Sequence, residues 1–192
     1  MANKFNSDNI INAAISLLAE HGIGVPTAKV AKQAQISNGT LFNYFPTKQN
    51  LLDKVYLAIK QEIAQQIVAQ SSSNQAGIEA LMFFVWQRYI LWAIKNPQKQ
   101  LVASLLHSSL AISEDAKSEV DQTFSFITNQ LEAAQSDELI RDIPTPFLCD
   151  LAIAQMCVTI EYARTNDFTQ VQLDEAIKQS FDVYWNGIKP AI

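Results

Sequence analysis

Ser37, Asn38, Gly39, Thr40 and Asn43 fall within one short stretch, "ISNGTLFNYFPTK" (36–48), and none of them has the makings of a catalyst. What they offer is recognition. An asparagine amide donates and accepts at once, as adenine N6 and N7 require, and a threonine presents a hydroxyl to a base or phosphate and a methyl to thymine. Ser37 is a helix-capping residue type and Pro46 a helix stop, so the stretch predicts a short helix through Phe45 with Asn38, Thr40 and Asn43 on its exposed side. Leu41, Phe42 and Phe45 are then its core or rim.

Groups that could do other chemistry are sparse. His21 and His107 stand far apart, and there is no HExxH. Cys149 and Cys157 lack CxxC spacing and lie eight residues apart on one predicted helix. That is about 12 Å, too far to bridge, so both are expected to be reduced core thiols. "GIG" at 22–24 lacks the rest of a nucleotide loop. No catalytic residue, metal site or cofactor is expected, and the chain is not expected to be an enzyme.

The elements that must position the opening stretch are helical. Of 192 residues, 48% are hydrophobic and 17% charged, enough to bury a sizeable core, and apolar residues recur every three or four positions rather than two. Ser7 or Asp8 is placed to cap a first helix with the stripe Ile11, Ala14, Ile15 and Leu18, ended by Gly22 and Gly24. Thr27, after Pro26, is the expected N-cap of a second, with Val30, Ala31 and Ala34 inside. A tight connection at Gln35 and Ile36 leads into the helix capped by Ser37.

Beyond it, periodicity predicts a long helix from Lys48 to about Gln70, a break at "SSSNQ" (71–75) and a central helix from Gln75 to Lys95. Asn96 and Pro97 open a helix through Leu101, Leu105 and Leu106, another spans about Ser113 to Gln135, and two more span Pro146 to Thr165 and Leu173 to Ile188. The last has the stripe Leu173, Ile177, Phe181, Tyr184 and Ile188. In the helix before it, Phe147, Leu151, Val158 and Tyr162 fill one stripe, while Leu148, Ala152, Thr159 and Ala163 make a second that one chain need not cover.

Net charge is −5, yet it is unevenly spread. Residues 1–54 hold Lys4, Lys29, Lys32, Lys48 and Lys54 against Asp8, Glu20 and Asp53, leaving nine basic and sixteen acidic residues for the rest. The N-terminus has no uninterrupted apolar stretch of signal-peptide type, and the run Leu81–Ile94 is too short to span a bilayer. A soluble, cytoplasmic protein with no membrane partner is expected.

Two short helices joined by a tight turn, the second polar and flanked by lysines, have the layout of a helix-turn-helix. Here the pattern Thr27-x-x-Val30-Ala31, Ala34-x-Ile36-Ser37-x-Gly39-Thr40-Leu41-Phe42-x-Tyr44-Phe45 and Lys48-x-x-Leu51-Leu52 resembles the TetR (tetracycline repressor) family of bacterial transcriptional regulators. The resemblance implies an all-α fold: a helix-turn-helix DNA-binding domain at 1–50 and a helical effector-binding and dimerisation domain at 51–192. It implies that Thr27, Tyr44 and Lys48 hold phosphates, while Asn38, Gly39, Thr40 and Asn43, introduced by Ser37, face bases or their backbone. It implies too that the fourth helix joins head to body and that the last two long helices form a homodimer.

The chain departs from the family in having Gln35 where a turn glycine is usual, so that the turn either avoids a left-handed conformation or bears strain. The recognition helix also lacks arginine and lysine, which removes the strong contact to guanine and favours a palindromic operator with A/T-leaning half-sites. Trp86, Tyr89, Trp92 and His107 are candidate contacts for a small effector, expected to be largely apolar and neutral or cationic rather than a multiply charged anion. The expected function is a ligand-responsive regulator, a repressor released by its effector. The alternative is a helical small-molecule-binding protein or enzyme whose head no longer binds DNA.

Overall fold

The computed structural model describes residues 2–68 and 77–190, and every regular element among them is an α-helix. In order these are α1 (Ala2–His21), α2 (Thr27–Gln33), α3 (Asn38–Tyr44), α4 (Lys48–Val68), α5 (Ile78–Lys95), α6 (Pro97–His107), α7 (Glu114–Ser136), α8 (Thr145–Thr165) and α9 (Gln170–Ile188). The expected break at 71–75, the last residues of the fourth helix to Gln70 and the expected start of the fifth at Gln75 lie outside the described residues.

Three helix starts differ from expectation, one of them that of α9, which begins at Gln170 rather than Leu173 because Thr169 and Gln172 form a capping box. α1 begins at Ala2, so Ser7 and Asp8 lie within it; the residues before them include no proline or glycine to prevent the helix from extending. At α2 it is Pro26 that takes the N-cap position, with φ −68° and ψ 140°, and Thr27 is the first helical residue. The other ends follow their sequence signals. Gly22, at φ 72°, closes α1 by donating to the Leu18 carbonyl at 2.9 Å, a left-handed cap that only glycine adopts without cost.

The helices group into two compact units, Met1–Glu62 with Asn96–Gln122, and Ile63–Lys95 with Thr123–Ile192. In the first, α1 packs on α2 and α6, and α2 on α3. Ile10, Leu18, Val30, Leu41, Leu51, Val55, Ile59 and Leu106 are among its fully buried side chains. Burial of a large apolar side chain is worth about 1.5–3 kcal/mol, so this core holds the short helices α2 and α3, too short to be stable alone. Polar contacts tie α6 and α7 to α4 within the unit. Asp53 Oδ1 accepts from the Ser113 amide at 3.0 Å, Lys99 pairs with Glu62, and the Tyr56 hydroxyl meets His107 Nδ1 at 3.1 Å.

In the second unit α5 packs on α8 and α9, and α8 on α9. The α9 stripe is buried as expected, and Phe181 stacks on Trp185 and meets Phe83 and Trp86 edge-on. Trp86 Nε1 donates to Ser180 Oγ at 3.0 Å, and the Tyr184 hydroxyl donates to the Leu148 carbonyl at 3.1 Å. Burial pushes the Tyr184 phenol well above its ordinary value.

On α8 the two stripes exchange roles relative to expectation. Leu148, Thr159 and Ala163 are buried and Ala152 is half-buried, whereas Phe147, Leu151, Val158 and Tyr162 are exposed, Val158 to 69%. With both stripes apolar, periodicity identifies the helix but not which face the rest of the chain covers. The outward stripe also makes α8 the one described helix long and apolar enough to cross a membrane by length and composition. Cys149 and Cys157 are not joined in a disulfide, and both are half-buried rather than core.

Candidate nucleic-acid interface

The connection between α2 and α3 is built by backbone hydrogen bonds that the sequence conceals. Gln35 adopts the left-handed conformation, φ 57°, in place of a glycine. Its amide donates to the Lys32 carbonyl at 3.1 Å and that of Ile36 donates to Ala31 at 3.0 Å, the paired bonds of a Schellman cap. Asn9 of α1 adds a third tie, Nδ2 to the Ala34 carbonyl at 2.9 Å. The turn is therefore left-handed and bears the Cβ strain of a non-glycine residue, roughly 1–2 kcal/mol.

α3 then starts where Ser37 predicts. Ser37 Oγ accepts from the Thr40 amide at 3.0 Å and bonds the Thr40 hydroxyl at 2.9 Å, so one hydroxyl caps the helix and fixes the Thr40 rotamer. Leu41 is buried to 1% exposure and Phe45 to 4%, which pins the helix from beneath. Above it Ser37, Asn38, Gly39 and Asn43 are exposed and Thr40 is half-buried. A Cβ added at Gly39 would meet only Ser37 Oγ, at 3.7 Å. The fold thus has room for a larger residue there.

Phe42 is 44% exposed, an apolar ring on the outward face where core or rim was expected. Tyr44 is half-buried beside Phe45, ring centroids 6.3 Å apart, and Thr27 is half-buried at the start of α2. Lys48 opens α4, whose start is fixed by Thr47: its Oγ1 accepts from the Asn50 amide at 3.1 Å and donates to Asn50 Oδ1 at 2.8 Å. Thr47 and Asn50 were not singled out in the sequence, although a threonine three residues before a polar partner at a helix start is a capping signal. Lys29 and Lys32 are exposed on α2. The surface therefore carries neutral hydrogen-bonding groups on α3 with ammonium groups on the helices either side, an arrangement suited to base edges flanked by phosphates.

The candidate effector contacts are not all together. Trp86, Tyr89 and Trp92 lie on α5 in the second unit, at 3%, 9% and 5% exposure, the last two as a ring pair 6.1 Å apart. They pack as core. His107 belongs to the first unit, where its partner is Tyr56. A depression of about 340 Å³ in the second unit is lined by Ile94, Ala163, Arg164, Asp167, Phe168 and Leu173, and by none of those aromatics. No group of three or more His, Cys, Asp or Glu among the described residues has the geometry of a metal site.

Comparison with known proteins agrees with this layout. Residues 10–55 match the family of bacterial regulatory proteins of the tetR type. A tetR family transcription regulator from Shewanella sp. PV-4 superposes with a TM-score of 0.87 at 26% identity, over 97% of this chain and 99% of that one. A regulator of the same family from Marinobacter aquaeolei VT8 also gives 0.87, at 16% identity over the whole of both chains. The nucleoid occlusion factor SlmA of Vibrio atlanticus is 22% identical over 181 residues, 93% of this chain and 91% of its own length. With helix-turn-helix, matched residues and full-length fold in agreement, residues 10–55 are a DNA-binding domain of the tetR family of bacterial regulatory proteins, and the chain as a whole has the fold of tetR family regulators.

Proposed function

We propose that the chain is a homodimeric, ligand-responsive transcriptional repressor, released from a palindromic operator by a small, largely apolar effector. The observation that carries the DNA-binding part is the exposed polar face of α3, held from below by Leu41 and Phe45 and flanked by Lys48. Asn38, Gly39, Thr40 and Asn43, following Ser37, meet base edges; Thr27, Tyr44 and Lys48 hold phosphates, Lys48 with the help of the α4 N-terminus. With no cation on α3, readout leans on A·T pairs and on shape.

In this reading residues 1–50 are the DNA-binding head and 51–192 the effector-binding and dimerisation part. The outward stripe Phe147, Leu151, Val158 and Tyr162 supports a dimer through α8 and α9, a four-helix interface between identical faces. Effector binding favours a spacing of the two heads that no longer matches successive major grooves about 34–36 Å apart, with α4 as lever. Trp86, Tyr89, Trp92 and His107 stay in the proposal as groups that report or transmit effector binding.

The test is a mobility shift with the DNA flanking the protein's own gene over a series of salt concentrations. Specific retention with a steep salt dependence is expected, and Lys48→Ala should weaken binding equally on all sequences and lower the salt slope by about one. Absence of retention on any genomic fragment would leave the helical ligand-binding protein as the better reading. Likeness to SlmA over nearly the full length favours a second reading, a DNA-bound factor of nucleoid occlusion. Mapping of bound sites on the chromosome separates the two: a few promoters fit a repressor, many dispersed sites the occlusion factor.

A further inference from the structure

Arg88 lies in the middle of α5, in a run from Leu81 to Ile94 whose other residues are apolar or aromatic apart from Gln87. It is half-buried. Its Nε is shielded from solvent and meets no hydrogen-bond partner, and it enters none of the ion pairs among the described residues. Its guanidinium lies over the Phe84 ring, 5.2 Å from the centroid. Stacking on a ring face does not replace the acceptor that this shielded Nε–H has lost with its water.

The surroundings define what would complete the site. Phe84, Val85 and Leu91, at i−4, i−3 and i+3 from Arg88, are half-buried like it, whereas Leu81, Met82, Trp86, Ile90 and Ala93 are buried. The α5 face centred on Arg88 is thus incompletely covered, and it is apolar around the guanidinium, with the exposed Lys95 two turns further on at the end of the helix. The other buried side-chain atom without a partner among the described residues is Trp185 Nε1, in the same unit. Both orphans are donors, so the unmet hydrogen-bonding capacity of this unit calls for acceptors.

We propose that Arg88 anchors the carboxylate of an amphiphilic monoanion whose apolar body lies along Phe84, Val85 and Leu91. A planar fork matches a carboxylate in two parallel hydrogen bonds, and one guanidinium balances one negative charge. This deepens the effector reading above, on which its regulatory consequence rests, and it replaces the neutral or cationic effector expected from the aromatic residues alone.

The experiment titrates the purified full-length protein with decanoate and decanol, and with naphthoate and naphthol, following tryptophan fluorescence and heat. At least one carboxylate should bind more tightly than its alcohol, by roughly ten- to a hundredfold, the worth of hydrogen bonds to a charged group. The better acid identifies the body as aliphatic or aromatic. Arg88→Met should erase the preference, because the guanidinium that would receive the carboxylate is gone. Arg88→Lys should keep a smaller preference, and it carries the test if the methionine variant does not fold. Equal binding of acid and alcohol, failure of both acids to bind, or a preference unchanged in Arg88→Met or Arg88→Lys would overturn the site. Dissociation of Arg88→Met into monomers in the ultracentrifuge would also overturn it and place Arg88 at an interface between copies. Decanoate binding through Arg88 in a protein that retains no DNA would sink the regulator and leave the site standing.

Discussion

Gly39 sits in a helix on an exposed surface, where the fold has space for a methyl group and glycine costs stability. An alanine there should raise the unfolding free energy by about 1 kcal/mol, the propensity difference between the two residues. If α3 approaches DNA at this position, the same methyl should weaken operator affinity. Opposite signs in a urea titration and a mobility shift are the expected outcome; a variant that is more stable and binds as tightly would take Gly39 off the contact surface. Tyr56 makes a different prediction. Burial first, and the Asp121 carboxylate second, push its phenol up to about 12 from an ordinary 10.0. A folded pKa above the unfolded one contributes stability that is complete below pH 10 and is lost as the pH rises through 12. The urea midpoint should hold at neutral pH and fall above pH 10, and Tyr56→Phe should reduce that fall, while Tyr184, shifted the same way, sustains the rest.

Among the elements, the turn after α2 offers the simplest test. Gln35→Gly removes a side chain from the left-handed region without touching the hydrogen bonds of Ala31, Lys32 and Ala34. It should stabilise the protein by up to about 1 kcal/mol, less than the full strain because glycine also gains freedom in the unfolded chain. A loss of stability in thermal unfolding would show that the Gln35 side chain holds the turn. On α8, Val158→Asp should yield monomers with poor operator affinity, whereas a fully dimeric variant would place the interface elsewhere. The contrast between these elements explains what the sequence could tell. Ser37, Leu41 and the α9 stripe were legible because a cap and a one-sided apolar pattern each admit one local solution. The α8 stripes were not, since two apolar faces satisfy the same periodicity and only neighbouring helices choose between them. The left-handed turn was left open because its pattern belongs to glycine. In the sequence Arg88 counts, with Gln87, only as a break in the apolar run Leu81–Ile94, although an arginine within such a run is itself a signal that a counter-charge must come from somewhere.

For the molecule as a whole, the uneven charge and the apolar α8 face act at different distances. Lysines near α2 and α4 attract a polyanion while the remainder of the chain, with its acidic surplus, repels it, so the protein should approach DNA head first. The outward stripe on α8 can act only on contact, and contact with a second copy would make concentration a variable. If folded chains pair through Phe147, Leu151, Val158 and Tyr162, mass action draws unfolded chains into the native state as more protein is present. The thermal midpoint should then climb with total protein concentration, and it should cease to do so in Val158→Asp. In a cell, operator occupancy would rise with the square of the number of chains while dimers are scarce, and linearly once they are not. If the chain represses, the four apolar side chains on that face would thus make silencing depend on protein dosage more steeply at low than at high chain number.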